Sequence, residues 1–168
     1  VFNEIRSKAD TDGLTGLYNR SVLERIVADE LAADRKGSLF MTDLDNFKAV
    51  NDHYGHSTGD AVLIAYGEHL SFIFKDTEAL ICRLGGDEYT VYVRDLIDEE
   101  KAKEFASRII STLPDKMGRS SLPTIVGSSV GITINDGKFK DFETLYETTD
   151  KALYYSKEHG KNRYHLSE

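Results

Sequence analysis

The stretch ALICRLGGDEYTVYV, residues 79–93, decides the fold. Residues 79–84 and 89–93 are rich in β-formers, and Gly85, Gly86, Asp87 and Glu88 between them carry the sequence mark of a hairpin. At least one antiparallel strand pair follows, with two carboxylates on its tip.

Working outward, residues 38–44 read as a short, mostly apolar strand ending in the acidic pair Asp43 and Asp45. Helical stretches are predicted over about 46–53 and 59–74, broken at Gly55. Further upstream a helix begins near Ser21, with Ser21 and Glu24 as a capping box and Leu23, Ile26, Val27 and Leu31 as its apolar positions. Breaks at Asp12-Gly13 and at Gly16 separate it from a short entering helix over 2–8. Downstream, Ala102, Phe105, Ala106, Ile109, Ile110 and Leu113 follow the spacing of a helix with one buried face over 99–113. A strand over 124–134, a helix over 142–159 stopped by Gly160, and a last short strand near 163–166 complete the chain. The hairpin and the amphipathic helices together predict a mixed sheet flanked by helices, of the α/β or α+β class.

The 168 residues fit one domain, and a hydrophobic content of 40% is enough for an ordinary core. With only Pro114 and Pro123, no low-complexity tract and no internal period, nothing reads as a linker. The balance of 29 acidic against 21 basic side chains leaves a net charge of -8, which disfavours nucleic acid and direct contact with an anionic membrane. A phosphate-bearing substrate must then be small and met by local cations. The single cysteine, Cys82, excludes an internal disulfide and suits a reducing compartment, so a cytoplasmic location is expected. No apolar stretch reaches the roughly 20 residues of a membrane-spanning helix. The chain opens at Val1, as a piece of a longer protein would, and the rest of that parent is free to be membrane-anchored.

The carboxylates suggest the chemistry. Mg²⁺ prefers oxygen ligands, usually one or two protein carboxylates plus substrate phosphates. Asp43 at a strand end and Asp87 on a hairpin tip supply two, provided the first strand pairs beside the hairpin. Past Asp45, the amides of Asn46, Phe47 and Lys48 open a helix whose N-terminus favours a phosphate, and Lys48 adds a full charge. Asn51 and Asp60 offer the amide and carboxylate that a guanine edge needs, while His56 lies in the loop between them. Each fragment also has a plain structural reading. Asp43 and Asp45 serve equally as a strand end and a helix cap, Asn51 and Asp60 as an exposed helix face and a helix start, and Lys157 and Lys161 as cations near a helix C-terminus.

Taken together, the residues resemble a known family. GGDEY at 85–89 closely resembles the motif for which the GGDEF family of diguanylate cyclases is named. DGLTGLYNR at 12–20, DLDNFKAVNDHYGHSTGD at 43–60, SVGIT at 129–133 and DKALYYSKEHGKNRY at 150–164 are similar to its other motifs, in the same order. The resemblance spans nearly the whole chain.

It implies one catalytic domain over 1–168, with 1–10 a remnant of an upstream signalling helix. The implied fold is a central, mostly antiparallel five-stranded sheet flanked by helices, like the palm of nucleotidyl cyclases and some polymerases. The implied activity is Mg²⁺-dependent condensation of two GTP into cyclic di-GMP with release of pyrophosphate, Mn²⁺ being a substitute ion. One GTP per protomer makes a homodimer necessary, and an upstream sensor or dimerisation domain is expected in the parent protein.

Residue by residue, the resemblance implies that Asp43, the Leu44 carbonyl and Asp87 bind the metal, with Glu88 in support. Asn51 and Asp60 read guanine with His56 and Phe47 beside them, Lys157 and Lys161 hold the terminal phosphates, Lys48 stabilises the transition state, and Asp87 takes the proton. Two departures stand out. Tyr89 replaces the usual phenylalanine, adding a hydroxyl that needs a partner if buried. The Arg-x-x-Asp of the family's inhibitory product site is matched by Asp76, Thr77, Glu78 and Ala79, so no product inhibition is expected there. A catalytically silent GTP-binding regulator is the rival reading.

Overall fold

The structure, a computed structural model, describes Phe2 and residues 7–168. Among these, five strands form one sheet: β1 (Gly37–Asp45), β2 (Ala79–Gly85), β3 (Glu88–Arg94), β4 (Gly127–Asn135) and β5 (Tyr164–Leu166). Six helices accompany them: α1 (Arg20–Ala32), α2 (Phe47–Tyr54), α3 (His56–Ile73), α4 (Glu99–Ser111), α5 (Leu113–Arg119) and α6 (Phe142–Glu158). The strand order is β2-β3-β1-β4-β5, antiparallel throughout except for the parallel pair β4 and β5. The expected mixed, mostly antiparallel sheet flanked by helices is what the chain builds.

β1 lies at the centre and every one of its residues is buried, because both faces of the sheet are covered. Side chains alternate across it. Phe40 and Leu44 join the larger core with Val62, Tyr66 and Leu70 of α3 and with Ala102 and Ile109 of α4, whereas Leu39 joins Leu23 and Val27 of α1 and Leu145 of α6. The same alternation puts Asp43 and Asp45 on the α6 side. Gly131 lets α6 lie directly on β4, since a Cβ there would stand 2.7 Å from the Thr149 carbonyl oxygen. That close seat carries Lys157, one turn beyond Leu153, to the end of the sheet where β1 finishes.

Several element boundaries differ from the sequence expectation, each for a local reason. The N-cap of α1 is Asn19, whose side chain accepts from the Val22 amide at 3.3 Å and donates to the Ala9 carbonyl at 2.8 Å. The Ser21 and Glu24 capping box does not form, because Glu24 pairs with Arg20 at 2.8 Å. α3 starts at His56, three residues before the expected Gly59, so Asp60 sits inside the helix rather than at its start. α4 stops at Ser111, and Pro114 opens a separate short helix, α5, since proline cannot extend a helix but suits a first turn. β4 begins at Gly127, leaving 124–126 irregular. Of the entering helix expected over 2–8, residues 3–6 lie outside the described residues, and Phe2, Ser7 and Lys8 are not helical.

Candidate active site at the C-terminal end of β1

The antiparallel pairings bring the C-terminal end of β1 beside the N-terminal ends of β3 and β4. Asp43 stands directly opposite Glu88, and Asp87 is the next residue back, in the hairpin turn. Facing residues in such a ladder have Cα atoms about 5 Å apart. The adjacency of Asp43 to the hairpin carboxylates is thus built by strand register. The β1–β3 ladder ends at Asp43, so Leu44, whose side chain is in the core, continues past it paired only with Ser128 of β4.

Charge at this point is only partly compensated. Asp43 is 5% exposed and forms an ion pair with Lys157 of α6. Burial, and then the like charge of Lys161, press the Lys157 ammonium downward. Asp87 is half-buried, and its burial holds its carboxyl above the usual range despite its own backbone amide and the Arg83 guanidinium. Glu88 is raised too, first by burial and then by Asp87 and Asp150. Carboxylates pushed towards neutrality mark a place where a cation would be welcome. Among the described residues no group of three or more His, Cys, Asp or Glu side chains is gathered to hold an ion. Two carboxylates and a carbonyl fit Mg²⁺, which keeps waters and phosphate oxygens as its other ligands. The Lys157 ammonium already fills the cationic role beside Asp43.

α2 begins immediately after β1. Its N-cap, Asn46, is left-handed at φ 66° and forms no side-chain cap; its amide instead donates to the Ile125 carbonyl at 3.0 Å. The Asn46 side chain therefore does not cap the first amides of α2, and uncapped helix N-termini are places that favour anions. Lys48 is exposed in this first turn and pairs with Asp52 at 3.2 Å. Phe47 is half-buried against the core. Lys161 borders a cleft of about 400 Å³ that Asp45, Asn46 and Asn162 also line.

The proposed base-reading pair lies where α2 meets α3. Gly59 is buried beneath the Asn51 side chain, whose carboxamide oxygen occupies the space a Cβ would need. This contact seats Asn51 against the residue next to Asp60, and Asp60 itself is exposed on α3. His56 opens α3 with an exposed side chain.

Other residues at the site act as structural supports, through contacts that motif spacing alone does not show. Arg83 donates to the Gly86 carbonyl through Nε and Nη2 at 3.0 and 2.7 Å, and through Nη1 to Asp12 at 2.8 Å. Asp12 also accepts from the amide and hydroxyl of Thr15. Burial opposes its charge, yet the Thr15 hydrogen bonds and then Arg83 hold the Asp12 carboxyl below its usual range. The hairpin tip is thereby tied to the N-terminal segment, which also bridges to β2 through Tyr18 and Cys82. Tyr89 is fully buried and donates to the Leu63 carbonyl at 2.6 Å, so its extra hydroxyl has its partner. Asp45 accepts from the Ser129 hydroxyl at 2.8 Å and from the Asn162 amide at 2.8 Å.

A family model described as diguanylate cyclase, GGDEF domain, matches residues 9–163. The chain belongs to the GGDEF family. This GGDEF domain is 35% identical, over 99% of its length, to 55% of diguanylate cyclase DgcS from Shewanella oneidensis. It is also 29% identical, over 94% of its length, to 20% of the cyclic di-GMP phosphodiesterase NbdA from Pseudomonas aeruginosa. Among solved structures, the coiled coil and GGDEF domain of DgcB from Caulobacter crescentus, in complex with c-di-GMP, matches with a TM-score of 0.81. That likeness has 26% identity and covers 95% of this chain and 86% of the other. The GGDEF domain thus spans only a fifth to about half of these curated relatives. No helix among its described residues is long and apolar enough to cross a membrane.

Proposed function

We propose that this GGDEF domain is a diguanylate cyclase that condenses two GTP into cyclic di-GMP in the cytoplasm, with two protomers face to face. The observation that carries the reading is the β1–β3 register, which sets Asp43 opposite Glu88 and beside Asp87 at one end of the sheet. Asp43, the Leu44 carbonyl and Asp87 would hold Mg²⁺ or Mn²⁺, with Glu88 in support. The chemistry such an ion supplies when bound is polarisation of the α-phosphoryl oxygen.

The chain's own groups do the remainder. The uncapped start of α2, together with Lys157 and Lys161, receives the triphosphate, and Lys48 neutralises charge that develops on it. Lys157, paired with Asp43 in this structure, would leave that carboxylate to reach a phosphate. Asn51 and Asp60 read the guanine edge from the α2–α3 junction, with Phe47 and His56 alongside. The ribose 3′-oxygen of one GTP forms a bond to the α-phosphorus of the other, the bond to pyrophosphate breaks, and the hydroxyl proton passes to Asp87. A second, symmetrical step closes the ring.

The domain mixed with GTP and Mg²⁺ at high protein concentration is expected to release pyrophosphate and cyclic di-GMP, and to do neither with ATP. Asp87→Ala is expected to abolish turnover with thermal unfolding little changed. GTP bound but left intact by the unaltered domain would instead favour a silent regulator.

A further inference from the structure

We infer that Asp45 is a positioning residue for the triphosphate, acting through Asn162 to set the backbone of Lys161. Asp45 resembles a second metal ligand, two residues past Asp43 on the same face of β1, but its oxygens are already engaged. It is 6% exposed, receives the Ser129 hydroxyl at 2.8 and 3.0 Å, and receives the Asn162 backbone amide at 2.8 Å.

What these bonds hold is an unusual piece of backbone. Gly160, Lys161 and Asn162 take φ values of 118°, 64° and 48°, three left-handed residues in succession, two of them with side chains. Non-glycine residues are uncommon in that region and persist there only where their surroundings impose it. Here the constraints converge from three elements. The Lys161 amide donates to the Ser156 carbonyl of α6 at 3.0 Å, Asn162 Oδ1 accepts from the Ser128 amide of β4 at 3.4 Å, and the Asn162 amide ends on Asp45 of β1. Gly127, the ladder partner of Asp45, completes the seat, since a Cβ there would stand 2.8 Å from Asn162 Oδ1. With the loop so held, Lys161 borders the cleft that Asn46 lines at the start of α2. Of the three acceptors, two are the Ser156 carbonyl and the Asn162 side-chain amide oxygen, while the third is the Asp45 carboxylate, and hydrogen bonds to a carboxylate are the stronger kind.

The inference rests on the proposed GTP site, and the test separates the two. Binding of α,β-methylene-GTP, which cannot lose pyrophosphate, and of GMP is measured by calorimetry for the unaltered domain, Asp45→Ala, Lys161→Ala and the double variant, with thermal melts alongside. Asp45→Ala and Lys161→Ala are each expected to weaken the triphosphate analogue about tenfold and GMP hardly at all, with the double variant no weaker than the worse single one. Asn162→Ala repeats the test if Asp45→Ala fails to fold, and Asn162→Gly, which accepts the left-handed backbone and keeps the amide, should retain most of the affinity. Equal weakening of analogue and GMP, or additive losses in the double variant, would overturn the positioning role. Failure of the unaltered domain to bind the analogue would overturn the GTP site itself, and this inference with it.

Discussion

At the scale of single residues, the departure from the family motif at position 89 is absorbed by one hydrogen bond. The Tyr89 hydroxyl is buried and donates to the Leu63 carbonyl of α3, and its ring packs edge-on against Tyr66 with centroids 4.9 Å apart. Tyr89→Phe should therefore cost about 1 kcal/mol in a urea melt and leave turnover within twofold, as roughly expected for one neutral hydrogen bond. Gly59 has the opposite character. A methyl group there must displace the Asn51 side chain, so Gly59→Ala is expected to raise KM for GTP about tenfold, the scale of one lost base-reading hydrogen bond, with kcat much less affected. Steady-state kinetics would show the split. An unchanged KM would mean that Asn51 does not read the base.

At the scale of elements, the hairpin tip is set by more than its turn. Arg83 binds the Gly86 carbonyl from within β2 and reaches across to Asp12, so the N-terminal segment and the turn hold each other. Both side chains of this pair are mostly buried, at 12% and 17% exposure. Arg83→Ala leaves Asp12 without its cation and should destabilise the domain by about 2 kcal/mol, the scale of a hydrogen bond to a charged group. Because Asp87 sits on that tip, kcat should fall further than stability alone requires. A denaturation curve and an activity assay below the melting transition distinguish the two losses.

At the scale of the whole molecule, the two faces of the sheet do different work. One carries the larger core under α3 and α4, and the other brings α6 and its lysine to the carboxylates. The larger core contains an ionisable group away from the site: His69, 4% exposed, whose Nε2 meets the Ile109 carbonyl at 3.0 Å. Burial lowers its pKa below the ordinary 6.5, and Lys116, Arg119 and Arg108 add to that effect against the Ile109 carbonyl. The unfolded chain thus binds this proton more readily than the folded one. Stability from His69 is complete above pH 6.5 and is lost as pH falls from there through the lowered folded value. Melting temperatures measured across this window should drop more steeply for the unaltered domain than for His69→Gln, and parallel curves would refute the assignment.

What the amino-acid order by itself determines here is local: the hairpin at 79–93, the broken helices around Gly55, the amphipathic α4 and α6, and the motif residues of the site. These are legible because turn residues, apolar periodicity and motif spacing act over a few positions of chain. The N-cap at Asn19, the separate α5 and the start of α3 are less legible, since competing side-chain bonds and one proline shift those ends by a few residues. Only the tertiary structure decides that β1 lies between β3 and β4, that Lys157 meets Asp43, that Arg83 clasps Asp12, and that Asp45 holds the Lys161 loop. Each of those contacts joins residues 71 to 117 positions apart, apart from the strand order itself. No local pattern encodes such pairs; they follow from burying both faces of one central strand at once.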